Sequence, residues 1–183
     1  MTPIDYSLNA LHELEENIAK ICTDQVEALI HSILSANKIY VAGAGRSRLM
    51  LQAFAMRLMH LGLKAYVVGE IATPAVEPGD LVIIGTGSGE TDSLVVMAGK
   101  AKKIGAKLAV ITIYPESRAG SQADLVVQIG GKSGKVATTK TSVQPGGNLF
   151  EQSMLILLDC SIISIAELGN IDTSQFKRHA NLE

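Results

Sequence analysis

Apolar and polar positions along this chain follow two different rhythms. From about residue 6 to residue 34 the apolar positions recur at helical spacing, with Leu8, Leu11, Leu14, Ile18 and Ile21 on one stripe. Thr23-Asp24 supplies capping chemistry part-way along, so the spacing predicts two helices rather than one. Five short runs follow, at 38–41, 65–68, 80–84, 108–113 and 124–129. They are β-branched and almost continuously apolar instead of alternating, as expected of strands covered on both faces. Helical segments lie between most of them, at 48–61 ending in Gly62 and at 90–104 ending in Gly105. Both glycines suit the residue just past a helix C-terminus. A strongly apolar helix at 149–168 closes at Gly169, and a short tail helix is predicted from about Thr173.

Strand and helix in alternation predict an α/β fold. The expected form is a three-layer αβα sandwich on a five-stranded, mainly parallel sheet, flavodoxin-like or Rossmann-like, with right-handed crossovers. No repeat or linker divides the chain, so 1–183 reads as a single domain with a helical segment at 1–35 and a tail at 172–183. Residues 130–147, rich in Gly, Ser, Thr and Lys, read as a long functional loop.

Composition narrows the classes. With 47% hydrophobic residues, 4% aromatics and no Trp, the core must come from Val, Ile, Leu, Ala and Met. A net charge of −2 leaves no electrostatic footprint for nucleic acid or an anionic membrane. The lysines at 100, 102, 103 and 107 read as a solvated helix face and the start of a strand. Cys22 and Cys160 lie far apart and form no CxxC pair, so neither zinc nor a disulfide framework is suggested. The first residues lack a basic stretch followed by an apolar one, and Glu151, Gln152, Asp159 and Glu167 interrupt the apolar segment near the end. A cytoplasmic protein without a membrane span is expected.

Two glycine-rich, hydroxyl-bearing turns each follow a strand-like run: Gly43-Ala44-Gly45-Arg46-Ser47, and Gly85-Thr86-Gly87-Ser88-Gly89-Glu90-Thr91. Where a buried strand breaks into a helix, free N–H groups and the positive end of the helix dipole favour an anion. Gly45 and Gly89 allow close backbone approach, and Ser47, Thr86, Ser88 and Thr91 add donors. Two such turns point to a phosphorylated small molecule, although Ser47 and Ser88 also fit plain helix N-caps. A dinucleotide fingerprint is disfavoured by Arg48 at its third glycine position. A P-loop at Gly131-Lys132-Ser133 is disfavoured by Val126 in place of the leading glycine. Arg46 and Arg48 flank the first turn, one expected to face the site as a partner for phosphate and the other to form a surface ion pair, and Glu90 suits the first turn of a helix. The spacing of Met50, Met56 and Met59 suits core or subunit contacts.

Both turns resemble the phosphosugar loops of sugar isomerase (SIS) domains, with Thr86 where Ser is more usual. Three further segments resemble one branch of that family, the 6-phospho-3-hexuloisomerases. They are Met56-Arg57-Leu58-Met59-His60-Leu61-Gly62, Pro145-Gly146-Gly147-Asn148-Leu149-Phe150-Glu151 and Arg178-His179-Ala180-Asn181-Leu182-Glu183. The resemblance implies interconversion of D-arabino-3-hexulose 6-phosphate and fructose 6-phosphate, without metal or organic cofactor. It also implies a homotetramer coupled functionally to 3-hexulose-6-phosphate synthase. Spacing alone makes Asn148 and Glu151 a capping box, whereas the resemblance makes Glu151 the base. His60 fits either a cation at a helix C-terminus or a group that moves a hydroxyl proton. His179 is implicated only through the family-like tail, which would close a neighbouring subunit's site. Two alternatives stay open: an SIS isomerase of pentose or heptose phosphates, and a non-catalytic sugar-phosphate sensor.

Overall fold

In the computed structural model, residues 1–133, 142–172 and 179 are described. The predicted tail helix falls outside them, as do Arg178 and residues 180–183. Among the described residues the order is α1 (Pro3–Ile18), α2 (Thr23–Ser35), β1 (Ile39–Gly43), α3 (Gly45–His60), β2 (Ala65–Val67), β3 (Leu81–Thr86), α4 (Asp92–Ile104), β4 (Lys107–Thr112), a 3-10 turn (Gly120–Gln122), β5 (Leu125–Gln128) and α5 (Asn148–Leu168). All strand pairs are parallel, in the order β2-β1-β3-β4-β5. The α/β sandwich expected from the sequence is therefore present.

Continuous apolar runs arise because both sheet faces are covered. Ile39, Val41, Leu81, Ile83, Ala109 and Ile111 face a cluster with Leu29 and Ile33 of α2, Leu51, Phe54 and Leu58 of α3, and Phe150, Met154 and Leu158 of α5. The residues between them, Tyr40, Ala42, Val82, Ile84, Leu108 and Val110, face Leu94, Ala98 and Ala101 of α4. Fully burying Phe54 or Phe150 contributes roughly 1.5–3 kcal/mol each. The α4 side carries one helix and two irregular connections. One of these is pinned by the Tyr40 hydroxyl, which donates to the Ala75 carbonyl at 2.8 Å.

Helix ends correct some local expectations. Gly105 is left-handed at φ 87°, and Gly62 at φ 88°, as their positions after helices required. Gly169 is not; Asn170 takes the left-handed position at φ 50°. On the N-terminal stripe Leu14 is buried and Ile18 and Ile21 are half-buried, but Leu8 and Leu11 remain exposed. Helix α5 is long and apolar enough to cross a membrane, yet Phe150, Met154, Leu158 and Ile165 are buried in the core against the sheet.

Candidate functional site

The chain moves one way from β1 to β2 and the other way to β3, so the switch point lies between β1 and β3. Gly43 and Gly85 sit side by side there. A methyl on Gly43 would stand 2.9 Å from the Arg48 backbone nitrogen, and one on Gly85 2.8 Å from the Leu51 side chain. Small residues thus let α3 press onto the strand ends and bring its N-terminus to the crevice.

Three helix N-termini converge on a cavity of about 180 Å³ at this point. Ala44 and Ser47 enter from α3, Thr91 and Leu94 from α4, and Gly147, Phe150 and Glu151 from α5. The N-caps of α3 and α5 are Ala44 and Gly147, which have no side-chain oxygen to satisfy the first turn. The Asn148 N–H of α5 turns back to the Pro145 carbonyl at 3.3 Å, and the three positive dipole ends at the cavity favour an anionic ligand.

Hydroxyls line the same space. Neither Ser47 nor Ser88 is a helix N-cap, because α3 is capped at Ala44 and α4 at Thr91. Ser47 lies in the first turn of α3 and is buried. Thr86 Oγ1 accepts from the Gly89 N–H at 3.2 Å, and Ser88 Oγ accepts from the Glu90 N–H at 3.1 Å. Each hydroxyl serves the turn as an acceptor and retains its proton for donation. Gly89, at φ 68°, presses on Ser117, where a methyl would overlap the hydroxyl.

The capping box expected at Asn148 does not form. Helix α5 begins at Asn148, one residue after its cap, and the Glu151 N–H bonds to the Gly147 carbonyl at 3.0 Å. The Glu151 carboxylate instead meets Arg46 Nε at 3.4 Å, and Asn148 Oδ1 accepts from Arg46 Nη1 at 3.1 Å. Burial pushes the Glu151 carboxyl above its ordinary range, and Arg46 draws it partly back. Its carboxyl therefore holds a proton more tightly than a free carboxylate does. Arg48 points elsewhere, with its guanidinium beside Gly69. Glu90 is engaged outside the cavity by the Arg118 N–H at 3.0 Å.

His60 and His179 do not join this group within one chain. Their rings stack at 5.3 Å. His60 ends α3 while Ser47 lies in its first turn, and thirteen residues of helix at about 1.5 Å each separate them by about 20 Å. Burial lowers the His60 pKa, with His179 and Arg57 adding to the effect.

Sequence reasoning missed Lys132 and Ser133, which line the cavity. Their signal was the Gly131-Lys132-Ser133 triplet, weighed only as a P-loop. A larger hollow of about 570 Å³ lies on the other side of Lys132, walled by α1 and the β5 end. It carries no helix N-terminus from α3 or α4, so the smaller cavity is the better anion site. Among the described residues, no group of three His, Cys, Asp or Glu could hold a metal ion.

The SIS domain family model matches residues 32–146, which include both glycine turns. The chain belongs to the SIS domain family. Within that family it is 46% identical to a 3-hexulose-6-phosphate isomerase of Bacillus subtilis, over 100% of both chains. It is 38% identical to a 3-hexulose-6-phosphate isomerase of Mycobacterium gastri, over 93% of this chain and 86% of that one. A solved structure from Methanococcus jannaschii, for which a 3-hexulose-6-phosphate isomerase function was inferred, matches with TM-score 0.79 and 37% identity over 97% of each chain. The SIS match thus covers the switch-point crevice, and the full-length relatives extend over the segment that carries Glu151.

Proposed function

We propose that the chain interconverts D-arabino-3-hexulose 6-phosphate and fructose 6-phosphate, with Glu151 as the base. The observation that carries this reading is the placement of the Glu151 carboxylate, released from capping and raised in pKa by burial, at a cavity fed by three helix N-termini. Relatives matching along nearly the whole chain bear the corresponding name.

Phosphate is held by Ser47, Thr86, Ser88, Thr91 and the first-turn N–H groups, with Gly45 and Gly89 allowing close approach. That anchors the sugar so its reacting carbons reach Glu151. The carboxylate takes the C2 proton of the 3-hexulose; the electron pair forms the C2–C3 double bond and the former carbonyl oxygen becomes an enediolate oxyanion. Arg46 faces that charge. A hydroxyl proton moves from O2 to O3, the C2 carbonyl forms, and Glu151 returns its proton to C3. One carboxylate serves both carbons because they are adjacent.

His60 and His179 move the hydroxyl proton from a neighbouring subunit, since their own cavity lies about 20 Å away. The exposed Ile4, Leu8, Leu11, Leu49, Met56 and Met59 are surfaces for such neighbours, and the assembly is a homotetramer. The chain acts as a single domain, 1–183, whose tail at 172–183 reaches a neighbour's site. It works in the cytoplasm alongside 3-hexulose-6-phosphate synthase. The test is direct: generate hexulose 6-phosphate from formaldehyde and ribulose 5-phosphate, add the protein, and follow fructose 6-phosphate. Absence of product overturns the reading.

A further inference from the structure

Helix α1 lies outside the cavity, yet it grips the chain at Gly130 and at residues 142–144, next to residues that line the cavity. Glu13 and Asn17 stand four residues apart on one face of α1. The Glu13 carboxylate accepts from Ser142 Oγ at 2.6 Å, from the Val143 N–H at 2.8 Å and from Gln144 Nε2 at 3.3 Å. Asn17 Nδ2 donates to the Gly130 carbonyl at 3.0 Å and to Ser153 Oγ at 2.8 Å. Gly130 is where the chain leaves β5 for Lys132 and Ser133 of the cavity wall, and residues 142–144 are where it returns toward Gly147 and Glu151. Ser153 is fully buried, two positions beyond Glu151 on α5.

We infer that Glu13 and Asn17 are positioning residues, a clamp on α1 that sets where Lys132, Ser133 and Glu151 stand relative to the bound phosphate. This rests on the reading of Glu151 as the base. The clamp exists because glycine-rich chain on both sides of residues 134–141 has little side-chain packing of its own to fix it. A carboxylate with two oxygens can take several donors at once, which neither an amide nor a hydroxyl does as well. Burial pushes the Glu13 carboxyl up, but its hydrogen bonds to Ser142, Val143 and Gln144 outweigh burial and hold it below the ordinary range. It is the ionised form that grips the segment. The phosphate turns after β1 and β3 hang on other parts of the sheet, so loosening the clamp displaces the base more than the anchor.

The test is steady-state kinetics on Glu13→Ala, Glu13→Gln, Ser142→Ala and the Glu13→Ala/Ser142→Ala double variant, with inorganic phosphate as a competitive probe of the anchor. Glu13→Ala is expected to lower kcat about tenfold or more, as a misplaced catalytic group does, while KM and phosphate inhibition change less than about threefold. Glu13→Gln keeps one acceptor oxygen and recovers part of kcat. Ser142→Ala leaves α1 untouched and lowers kcat by itself, and the double variant loses less than the sum of the two, because both changes break the Ser142–Glu13 contact while Ser142 Oγ also accepts from the Gln144 N–H at 3.0 Å. A wild-type kcat in Glu13→Ala overturns the clamp, as do additive effects in the double variant. If Glu13→Ala does not fold, a wild-type kcat in Ser142→Ala overturns it. Glu151→Gln separates the two ideas: full turnover there defeats the base, whereas a dead Glu151→Gln beside a fully active Glu13→Ala defeats the clamp alone.

Discussion

Replacing Arg46 with Met removes a charge from beside Glu151 while keeping a side chain of similar reach. The pair stands 3.4 Å apart, with Arg46 45% and Glu151 15% exposed. At half exposure, solvent screening holds the interaction to about 1 kcal/mol, well below the several that the distance alone would suggest. The direction follows from the two opposed causes. Burial raises the Glu151 carboxyl and Arg46 lowers it, so loss of Arg46 raises it further. A base with a higher pKa is protonated, and lost, at a higher pH as the solution is acidified. The acid limb of kcat/KM against pH, which reports the free enzyme, therefore moves to higher pH in Arg46→Met. The height of the profile falls as well if Arg46 touches substrate, but the limb's position is a separate reading. A limb that stays in place, or moves to lower pH, refutes its assignment to Glu151.

Two glycines give a steric comparison. Gly45→Ala meets only the left-handed backbone, with nothing within 4 Å of the new methyl, and is expected to cost about 1–2 kcal/mol in denaturant unfolding. Gly89→Ala adds overlap with the Ser117 hydroxyl to the same backbone penalty, so it destabilises more and raises KM by disturbing the second phosphate turn; equal costs at the two sites contradict the packing described. Subunit mixing tests the histidine placement: Glu151→Gln and His60→Ala chains, each inactive alone, regain activity when co-refolded, because some mixed sites hold both native groups. No gain on mixing contradicts a shared site.

The strands were legible because burial on both faces leaves almost no polar residue in 39–43 or 81–86, and nothing else in a short run competes with that pattern. Gly62 and Gly105 marked helix ends for an equally local reason. Ends decided by the neighbouring chain were not legible. Asn148 and Glu151 have capping-box spacing, but the glycines before them let α5 begin one residue early, and that shift releases Glu151 toward Arg46. Ser47 and Ser88 looked like caps, yet Ala44 and Thr91 hold those places. The site's second wall was the least visible, since Glu13 meets Ser142 across 129 positions and no local pattern records such a contact. Leu8 and Leu11 carried the right period for a buried stripe, but period alone does not say whether the same chain or another copy covers them.

The most direct measurement is the interconversion rate of Glu151→Gln, taken together with its affinity for fructose 6-phosphate. Gln keeps the shape and the place on α5 but cannot take a proton. The expected result is a loss of about 10²–10⁴-fold or more in turnover with binding nearly unchanged, because the phosphate anchor does not depend on the carboxylate. Turnover near that of the native protein would contradict the assignment of Glu151 as the base.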